Sequence, residues 1–249
     1  MIDAIIVMWK RQLKTYIRSK HRVLGSLAQP LLFLVAFGFG IGSMFEKAGG
    51  GDYIQYLIPG IIGMTLLFSS VMNGMSLIWD KQFGFLKETL VAPVPRIYLL
   101  TGRALGGATT SVMQGLIVLV VSFFMGFRIH NWWLFIPGLI LMLGIALMFT
   151  LLGTSIASRV EDMQAFPTIM NFMIMPMFFL SGALFPVNNF PLAVKVISYL
   201  NPMTYCVDLL QHTLGSGHTF NIFLDLGVVA AMITTLAIMG TFLFNRMET

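Results

Sequence analysis

Long apolar runs separated by short polar segments most constrain what this chain can form. Stretches long and apolar enough for a bilayer-crossing helix, which needs about 20 residues, lie at 24–44, 54–78, 101–127, 133–157, 164–185 and 222–244. Only 10% of the residues are charged, whereas a soluble domain typically carries about 25%. The sequence therefore predicts an all-α integral membrane protein, with six transmembrane helices in a single domain over 1–249.

The first 22 residues carry a different pattern, with apolar side chains at steps of three and four and basic ones on the other side. This pattern is typical of an amphipathic helix on a membrane surface, which we predict over 2–22. It leaves open whether the helix only anchors the chain or also has a mechanical role. The apolar face holds Ile2, Ile5, Ile6, Trp9, Leu13, Tyr16 and Ile17, and the basic face holds Lys10, Arg11, Lys14 and Arg18.

The region 186–214 is less apolar, and its apolar runs are too short to cross a bilayer. Pro191 and Pro202 interrupt these runs, because proline cannot continue a helix from the preceding turn. We predict two short helices, at about 190–199 and 203–214, that enter the membrane and return to the same side as a re-entrant hairpin.

The distribution of basic residues predicts the orientation. With both termini inside, twelve of the 15 Lys and Arg residues lie in the inner segments, and such a bias is typical of cytoplasmic loops. The sequence thus predicts a multi-pass protein of the plasma (inner) membrane with both termini and the segment 80–96 in the cytoplasm. The hairpin at 186–214 then lies outside.

The sequence lacks the motifs that are typical of several functional classes. There is no G-x-x-x-x-G-K-[ST] and no H-E-x-x-H, and the four histidines are scattered, so we expect no nucleotide, metal or other cofactor on this chain. We also expect no nucleic-acid partner and no enzymatic activity of the chain alone. Ionisable residues are nearly absent from the spans, which argues against a proton-driven carrier.

Methionine, phenylalanine and asparagine side chains on the second and fifth predicted spans suggest a path for a bulky apolar compound. Such side chains form adaptable binding surfaces, although ordinary helix packing explains any one of them equally well. The candidate path residues are Phe68, Met72, Asn73, Asn171, Met175, Phe178 and Phe179.

The segment DKQFGFLKETLVAPVPR at 80–96 is polar and charged. Phe83, Leu86 and Leu90 share one helical face, and Pro93 and Pro95 end the helix. We predict a short amphipathic helix at about 80–92 on the cytoplasmic surface. From the residues alone, it could be a docking element or a plain interfacial loop.

This segment resembles the cytoplasmic loop of type-2 ABC transporter permeases, and LSGALFPVNNFPLAVKVISYLNPMTYCVDLLQ at 180–211 is similar to a second signature of that family. The resemblance covers nearly the whole chain and is closest to drug-resistance and nodulation-type exporters. Ala92 and Pro95 replace the commoner Thr and Ser of the first motif, and the substrate stays open. The second signature corresponds here to Ser181, Gly182, Phe185, Pro186, Asn201, Pro202, Tyr205 and Asp208.

The resemblance implies an exporter of hydrophobic or amphipathic compounds, such as drugs, antibiotics or lipids. It implies a second copy of this chain and two separate ABC ATPase subunits, which bind ATP and Mg. The N-terminal helix would be a connecting helix near the ATPase, and the hairpin would cap the exit. The coupling helix seated in the ATPase would comprise Phe83, Gly84, Phe85, Leu86, Lys87 and Glu88.

Three alternatives stay open at this point. The first is export of a lipid-linked glycan, and the second is a membrane assembly factor of the haem-delivery type, for which the tryptophans in His130-Asn131-Trp132-Trp133 are a faint indication. The third is a passive channel, which would function with no ATPase present.

Overall fold

The computed structural model describes residues 2–47, 52–85, 94–160, 162–215, 217 and 219–245. Within these ranges the regular structure is entirely helical, as the sequence predicts. The α-helices are α1 (Ile2–Arg18), α2 (Lys20–Lys47), α3 (Tyr53–Met72), α4 (Met75–Gln82), α5 (Arg96–Phe124), α6 (Phe135–Ala157), α7 (Ala165–Phe179), α8 (Leu192–Leu200), α9 (Pro202–Leu214) and α10 (Ile222–Asn245).

Five helical segments of the described chain are long and apolar enough to cross a membrane. Each overlaps one of the six predicted spans. The second of them joins α3 and α4, which continue each other across a turn at Asn73 and Gly74. The segments are Val23–Gly40, Tyr53–Gln82, Arg96–Phe124, Trp132–Ala157 and Ile222–Leu243.

The remaining predicted span, 164–185, does not reach this length. Its helix, α7, has 15 residues and is therefore about 22 Å long, which is shorter than the ~30 Å hydrocarbon core of a bilayer. The chain turns directly after Phe179, and Gly182 adopts a φ of 82°, a conformation that favours glycine. The apolar run of the sequence thus continues through a turn that ends the helix.

Helix α3 lies at the centre of the fold, and it packs against α2, α5, α6 and α9. Its residues from Leu57 to Leu67 are all buried, so it is apolar all round, as expected of an enclosed helix. Only 22% of the span in α2 and 17% of the span in α10 is buried. The apolar side chains of those two helices therefore face lipid or another chain.

Helix α1 packs along the first turns of α5. A Cβ atom at Gly102 would lie 2.7 Å from the backbone oxygen of Ile5, and one at Gly106 would lie 2.6 Å from Cβ of Gln12. The missing side chains allow this approach, as in other small-x-x-x-small helix pairs. Met8 and Tyr16 are buried in α1, whereas Ile2 and Ile17 of the predicted apolar face are exposed.

The hairpin region contains α8 and α9, two short helices close to the predicted ranges of 190–199 and 203–214. Asn201 separates them, and its carboxamide oxygen accepts a hydrogen bond from the backbone N–H of Met203 at 3.0 Å. Asparagine in this position is a favourable N-cap, and Pro202 follows as the first helical residue. Re-entry of these helices into the membrane stays a prediction.

Candidate coupling and transport sites

A cluster of oppositely charged side chains lies buried at the end of α4. The Asp80 carboxylate accepts hydrogen bonds from both Arg11 guanidinium nitrogens, at 2.7 and 3.2 Å. It also accepts one from Arg103 Nη2, and Arg103 Nη1 donates to Ser76 Oγ at 3.4 Å. We call Arg11, Asp80 and Arg103 the Asp80 cluster. It joins α1, α4 and α5 through charged groups.

Burial differs between the two arginines of this cluster. The Arg103 side chain is only 3% exposed, whereas the Arg11 side chain is 41% exposed. A buried cation requires a paired and hydrogen-bonded anion, which Asp80 supplies to Arg103. Arg11 provides the second, bidentate contact and keeps part of its charge in solvent. The cluster is therefore held mainly by the Asp80–Arg103 pair.

Lys81 fixes the same end of α4 to a further helix. Its Nζ donates to the backbone oxygens of Ser158 at 2.6 Å and of Ala157 at 3.4 Å. These oxygens close the C-terminus of α6, where a cation interacts favourably with the helix dipole. The two successive residues Asp80 and Lys81 thus tie α4 to α1, α5 and α6.

The chain continues from this anchored point into the predicted coupling helix. Phe83 is 68% exposed and Phe85 is 51% exposed, and Gly84 between them has a φ of 78°. Two large apolar side chains are therefore presented at the surface directly after the Asp80 cluster. Leu86, Lys87 and Glu88, which were predicted as the rest of this site, lie outside the described residues. On α1, Lys10, Lys14 and Arg18 are exposed.

The predicted path residues separate into groups. Phe68 and Met72 of α3 line a cleft between α2, α3 and α5. Asn73 instead donates its amide to the backbone oxygen of Gly107 at 3.0 Å, which joins α3 to α5. A carboxamide engaged in this way holds the two helices together and does not face a path.

The predicted path residues of α7 also differ among themselves. Asn171 is exposed and Met175 is half-buried. Phe178 is fully buried and packs edge-on against Phe33 of α2, at a centroid distance of 6.1 Å. Phe179 is 44% exposed. Among the described residues, the lining of the cleft that holds Phe68 and Met72 includes none from α7.

The residues of the hairpin signature mostly hold the hairpin in place. Asn201 Nδ2 donates to the backbone oxygen of Met177 at 2.6 Å, and the Tyr205 hydroxyl donates to that of Tyr199 at 2.7 Å. The backbone oxygen of Gly182 accepts a hydrogen bond from the Tyr56 hydroxyl. The Asn201 contact connects the hairpin to α7, and the Tyr205 contact joins α9 to the end of α8. The Tyr56 contact connects the turn after α7 to α3.

Other signature residues act within the turn after α7. Ser181 Oγ donates to the backbone oxygen of Phe178 at 2.6 Å and accepts from the backbone N–H of Ala183 at 3.3 Å. Phe185 is 41% exposed, and Pro186 precedes the 3₁₀ turn Val187–Asn189. Ser181 is thus a local cap, while Phe185 leaves an aromatic ring at the surface.

An acidic pair lies where the hairpin meets α10. The Asp208 carboxylate accepts hydrogen bonds from the backbone N–H groups of Thr219 at 2.6 Å and Phe220 at 3.0 Å. Asp225 is fully buried, and neither of its oxygens receives a hydrogen bond from a donor in the described chain. The Asp208 carboxyl lies near enough to interact electrostatically with Asp225. We call these two residues the Asp208 pair.

The Asp80 cluster was not predicted from the sequence, in which Arg11 was assigned to the basic face of the N-terminal helix. One signal was present: Arg103 lies within a predicted span, and a buried arginine at that depth needs an anion. Asp80 lies near the end of α4, at the same end of the bundle as Arg103. Arg11 was less accessible to prediction because it is 69 residues from Asp80.

Comparison with known proteins identifies the family. The inner membrane transport permease YadH of Escherichia coli strain K12 is 27% identical over 207 residues, which cover 82% of this chain and 80% of YadH. The putative transport permease ycf38 of Cyanophora paradoxa is 28% identical over 221 residues, with 84% and 73% covered.

A further relative spans almost the whole chain. Nodulation protein J of Rhizobium leguminosarum bv. viciae is 24% identical over 244 residues, which cover 97% of this chain and 93% of that protein. The profile of the ABC-2 type transporter family matches residues 3–214. Because this match includes α1, the Asp80 cluster and the whole hairpin, the chain belongs to the ABC-2 type transporter family.

Proposed function

We propose that this chain is the membrane-spanning permease subunit of an exporter driven by a separate ABC ATPase. Membership of the ABC-2 family implies partnership with an ABC ATPase subunit, and two relatives are named as transport permeases, not as enzymes. Five helices that can span a bilayer support the permease role. ATP and Mg would bind to the ATPase, because this sequence lacks the P-loop motif.

The Asp80 cluster is the observation that carries the coupling part of this proposal. Any displacement of the segment after Lys81 acts first on α4, whose end is tied to α1 and α5 through Asp80. Because Arg103 is buried, separating it from Asp80 would leave an unpaired charge away from water. The three helices therefore move together when the ATPase pulls on the segment 80–96.

In the proposal, Phe83 and Phe85 enter an apolar cleft of the ATPase, with Leu86 beside them and Lys87 and Glu88 at the polar rim. Exposed aromatic side chains surrounded by polar groups are typical of interface anchors. The exposed basic residues Lys10, Lys14 and Arg18 of α1 would lie near the same ATPase surface.

The same proposal gives the chain its orientation. The positive-inside bias supports cytoplasmic termini, which places the Asp80 cluster at the inner side and the Asp208 pair at the outer side. A multi-pass inner-membrane location agrees with the name of the E. coli relative. In this proposal a second copy of this chain would complete the translocation path.

The first experiment is affinity purification of the tagged permease from its native membrane, followed by mass spectrometry. The proposal expects a P-loop ATPase in a roughly stoichiometric amount. Candidate amphiphiles can then be ranked by how they change ATP hydrolysis of the purified complex. Transport by reconstituted permease with no ATPase present would instead support a passive channel and contradict the proposal.

A second experiment tests the docking surface. The double substitution Phe83→Ala/Phe85→Ala should reduce ATPase co-purification and substrate-stimulated hydrolysis by about tenfold or more, because buried aromatic anchors dominate interface energies. Phe223→Ala is the matched control, since Phe223 is 85% exposed at the start of α10, at the opposite side. Unchanged co-purification of the double variant would rule out these aromatics as the docking site.

A further inference from the structure

The cleft lined by Phe68 and Met72 has a composition that restricts its ligand. It lies between α2, α3 and α5, is partly open to the surface, and has a volume of about 140 Å³. That is close to the ~150 Å³ of an engineered cavity that binds benzene. The cleft is therefore large enough for a head group about the size of a six-membered ring, but not for a whole lipid.

Polar side chains from all three helices line this cleft, which is unusual between apolar spans. They are Ser26 and Gln29 of α2, Thr65 and Ser69 of α3 and Gln114 of α5. Ser26 Oγ donates to the backbone oxygen of Val23 at 2.9 Å, and Thr65 Oγ1 donates to that of Ile61 at 2.8 Å. Their protons are thus engaged, and each hydroxyl oxygen can still accept a hydrogen bond.

Gln114 is different because its side-chain carbonyl oxygen has no hydrogen-bond donor among the described residues. The residue is 4% exposed, and this oxygen is buried. Buried polar atoms in native proteins are nearly always paired. An acceptor left without a donor at a cleft is the signature of a site that a ligand or water completes.

Charge is absent from the lining. Among the described residues that form the cleft, none is Asp, Glu, Lys, Arg or His. An ionised head group in this position would lose its hydration without gaining a counter-charge, which is costly. The lining therefore favours a head group that hydrogen-bonds but carries no net charge.

The position of the cleft is consistent with a ligand that comes from the membrane. Ser26 and Gln29 lie three and six residues into the apolar segment that starts at Val23, or about 5 and 9 Å along the helix. In the proposed orientation this depth is within the inner half of the bilayer. Phe68 and Met72 supply apolar and adaptable contacts beside the polar groups.

We propose that this cleft binds the hydroxyl- or amide-bearing head group of an uncharged amphiphile, with Gln114 accepting a hydrogen bond from it. The inference rests on the proposed export function and specifies its substrate class. The exporter takes neutral amphiphiles from the inner half of the membrane in preference to cationic or phosphorylated ones.

Photo-crosslinking of the purified permease–ATPase complex in phosphatidylcholine nanodiscs tests this assignment. The probe is a monoacylglycerol with a diazirine near the head group, and labelled peptides are located by mass spectrometry. We expect labelling within 24–34 and 60–75. Unlabelled monoacylglycerol should compete at least about tenfold better than an alkyl phosphate or an alkyltrimethylammonium of the same chain length, because an unpaired charge is disfavoured in the cleft.

Two cleft variants and one control make the result specific. Gln114→Met and Gln29→Leu should each lower labelling by about fivefold, the effect of one hydrogen bond. Gln55→Leu should leave it unchanged, because Gln55 contacts Gly126 away from the cleft. The use of two cleft variants protects the test against misfolding of either one.

Labelling outside both peptides and outside the part of α5 around Gln114, or equal competition by the charged amphiphiles, would overturn the proposal. Binding of the probe is measured without ATP. The labelling can therefore fail even when the ATPase still co-purifies with the permease. In that case the export function stands and only the substrate class is wrong. Loss of the ATPase with retained binding would instead contradict the export function alone.

Discussion

The Asp80 cluster and the Asp208 pair lie at opposite ends of the bundle. Each contains a buried acidic residue, but the groups around these two residues have opposite charges. Asp80 meets two guanidinium groups. Asp225 meets another carboxyl and has no donor among the described residues. Like charges in one buried site repel, whereas a carboxylate between two arginines gains strong charge-assisted hydrogen bonds.

The difference indicates separate mechanical roles for the two ends. A paired buried charge is costly to separate, so the Asp80 cluster behaves as a fixed joint between α1, α4 and α5. The Asp208 pair stabilises its surroundings less, because one of its members gains no hydrogen bond from a donor. We expect the first end to transmit motion and the second to separate more easily during transport.

The largest expected effect is that of Asp80→Asn. This substitution leaves Arg103 buried without an anion, and it should lower the free energy of unfolding by about 3–5 kcal/mol. Thermal unfolding of the purified permease, followed by tryptophan fluorescence, measures the loss. Arg11→Ala is the control and should cost about 1 kcal/mol or less, because Arg11 is partly solvated. Equal losses for both variants would contradict the dominance of the Asp80–Arg103 contact.

A smaller effect is expected at the hairpin end from Asp208→Ala. The substitution removes the acceptor of two backbone N–H groups and should lower the free energy of unfolding by roughly 1.5–3 kcal/mol. The same unfolding measurement applies. Asp208→Asn should cost less, because its single carboxamide oxygen can still accept. Indistinguishable Asn and Ala variants would show that the loop at 219–220 is held by other contacts.

Asp225→Asn sharpens the comparison, because the same substitution should change the free energy of unfolding in the opposite direction from Asp80→Asn. An amide can donate to the Asp208 carboxylate and removes the like charge, so the free energy of unfolding should rise by about 1 kcal/mol. Asp225→Ala supplies no donor and should gain less. A loss as large as that of Asp80→Asn would mean that Asp225 has a cationic partner in the complex.

The smallest expected effect concerns the rate at which the Cys206 thiol reacts with N-ethylmaleimide. Cys206 is the single cysteine of the chain and is buried beside the Asp208 pair. Burial, together with the nearby Asp225 carboxylate, raises the pKa of the Cys206 thiol. Because the thiolate is the nucleophile, N-ethylmaleimide at pH 7 should react with Cys206 more than about tenfold slower than with Cys206→Ser/Leu200→Cys, whose new thiol is at an exposed position.

This slow reaction also reports on the comparison between the two ends. If the hairpin separates from α10 during transport, labelling of Cys206 should accelerate when ATP and substrate are added to the complex. Rapid labelling in the resting state would contradict the burial of this end. The Asp80 cluster should show no matching change.

Much of the fold follows from patterns that the sequence carries locally. Apolar runs predict the five helices that can span a membrane, and Pro202 predicts the boundary between α8 and α9. The span 164–185 was wrong in length because hydropathy does not detect the turn at Gly182. Its side chains stay apolar through the turn.

The sites were harder to predict because they depend on contacts between distant segments. Arg11, Asp80 and Arg103 each have an ordinary local explanation as a surface or topology residue. Only the packing of α1 on α5 brings them together. The cleft at Gln114 likewise depends on how closely three helices approach, which no periodicity in one helix specifies.

The packing of α1 on α5 has a consequence for the synthesis of the protein. Helix α1 leaves the ribosome 78 residues before Arg96 begins α5, a delay of roughly 4 to 16 seconds at about 5–20 residues per second. Asp80 is made before Arg103, so the buried arginine enters the membrane with its anion already in place. Because α1 packs on α5, it can dock only after α5 has been made, and we expect this contact to form late in folding.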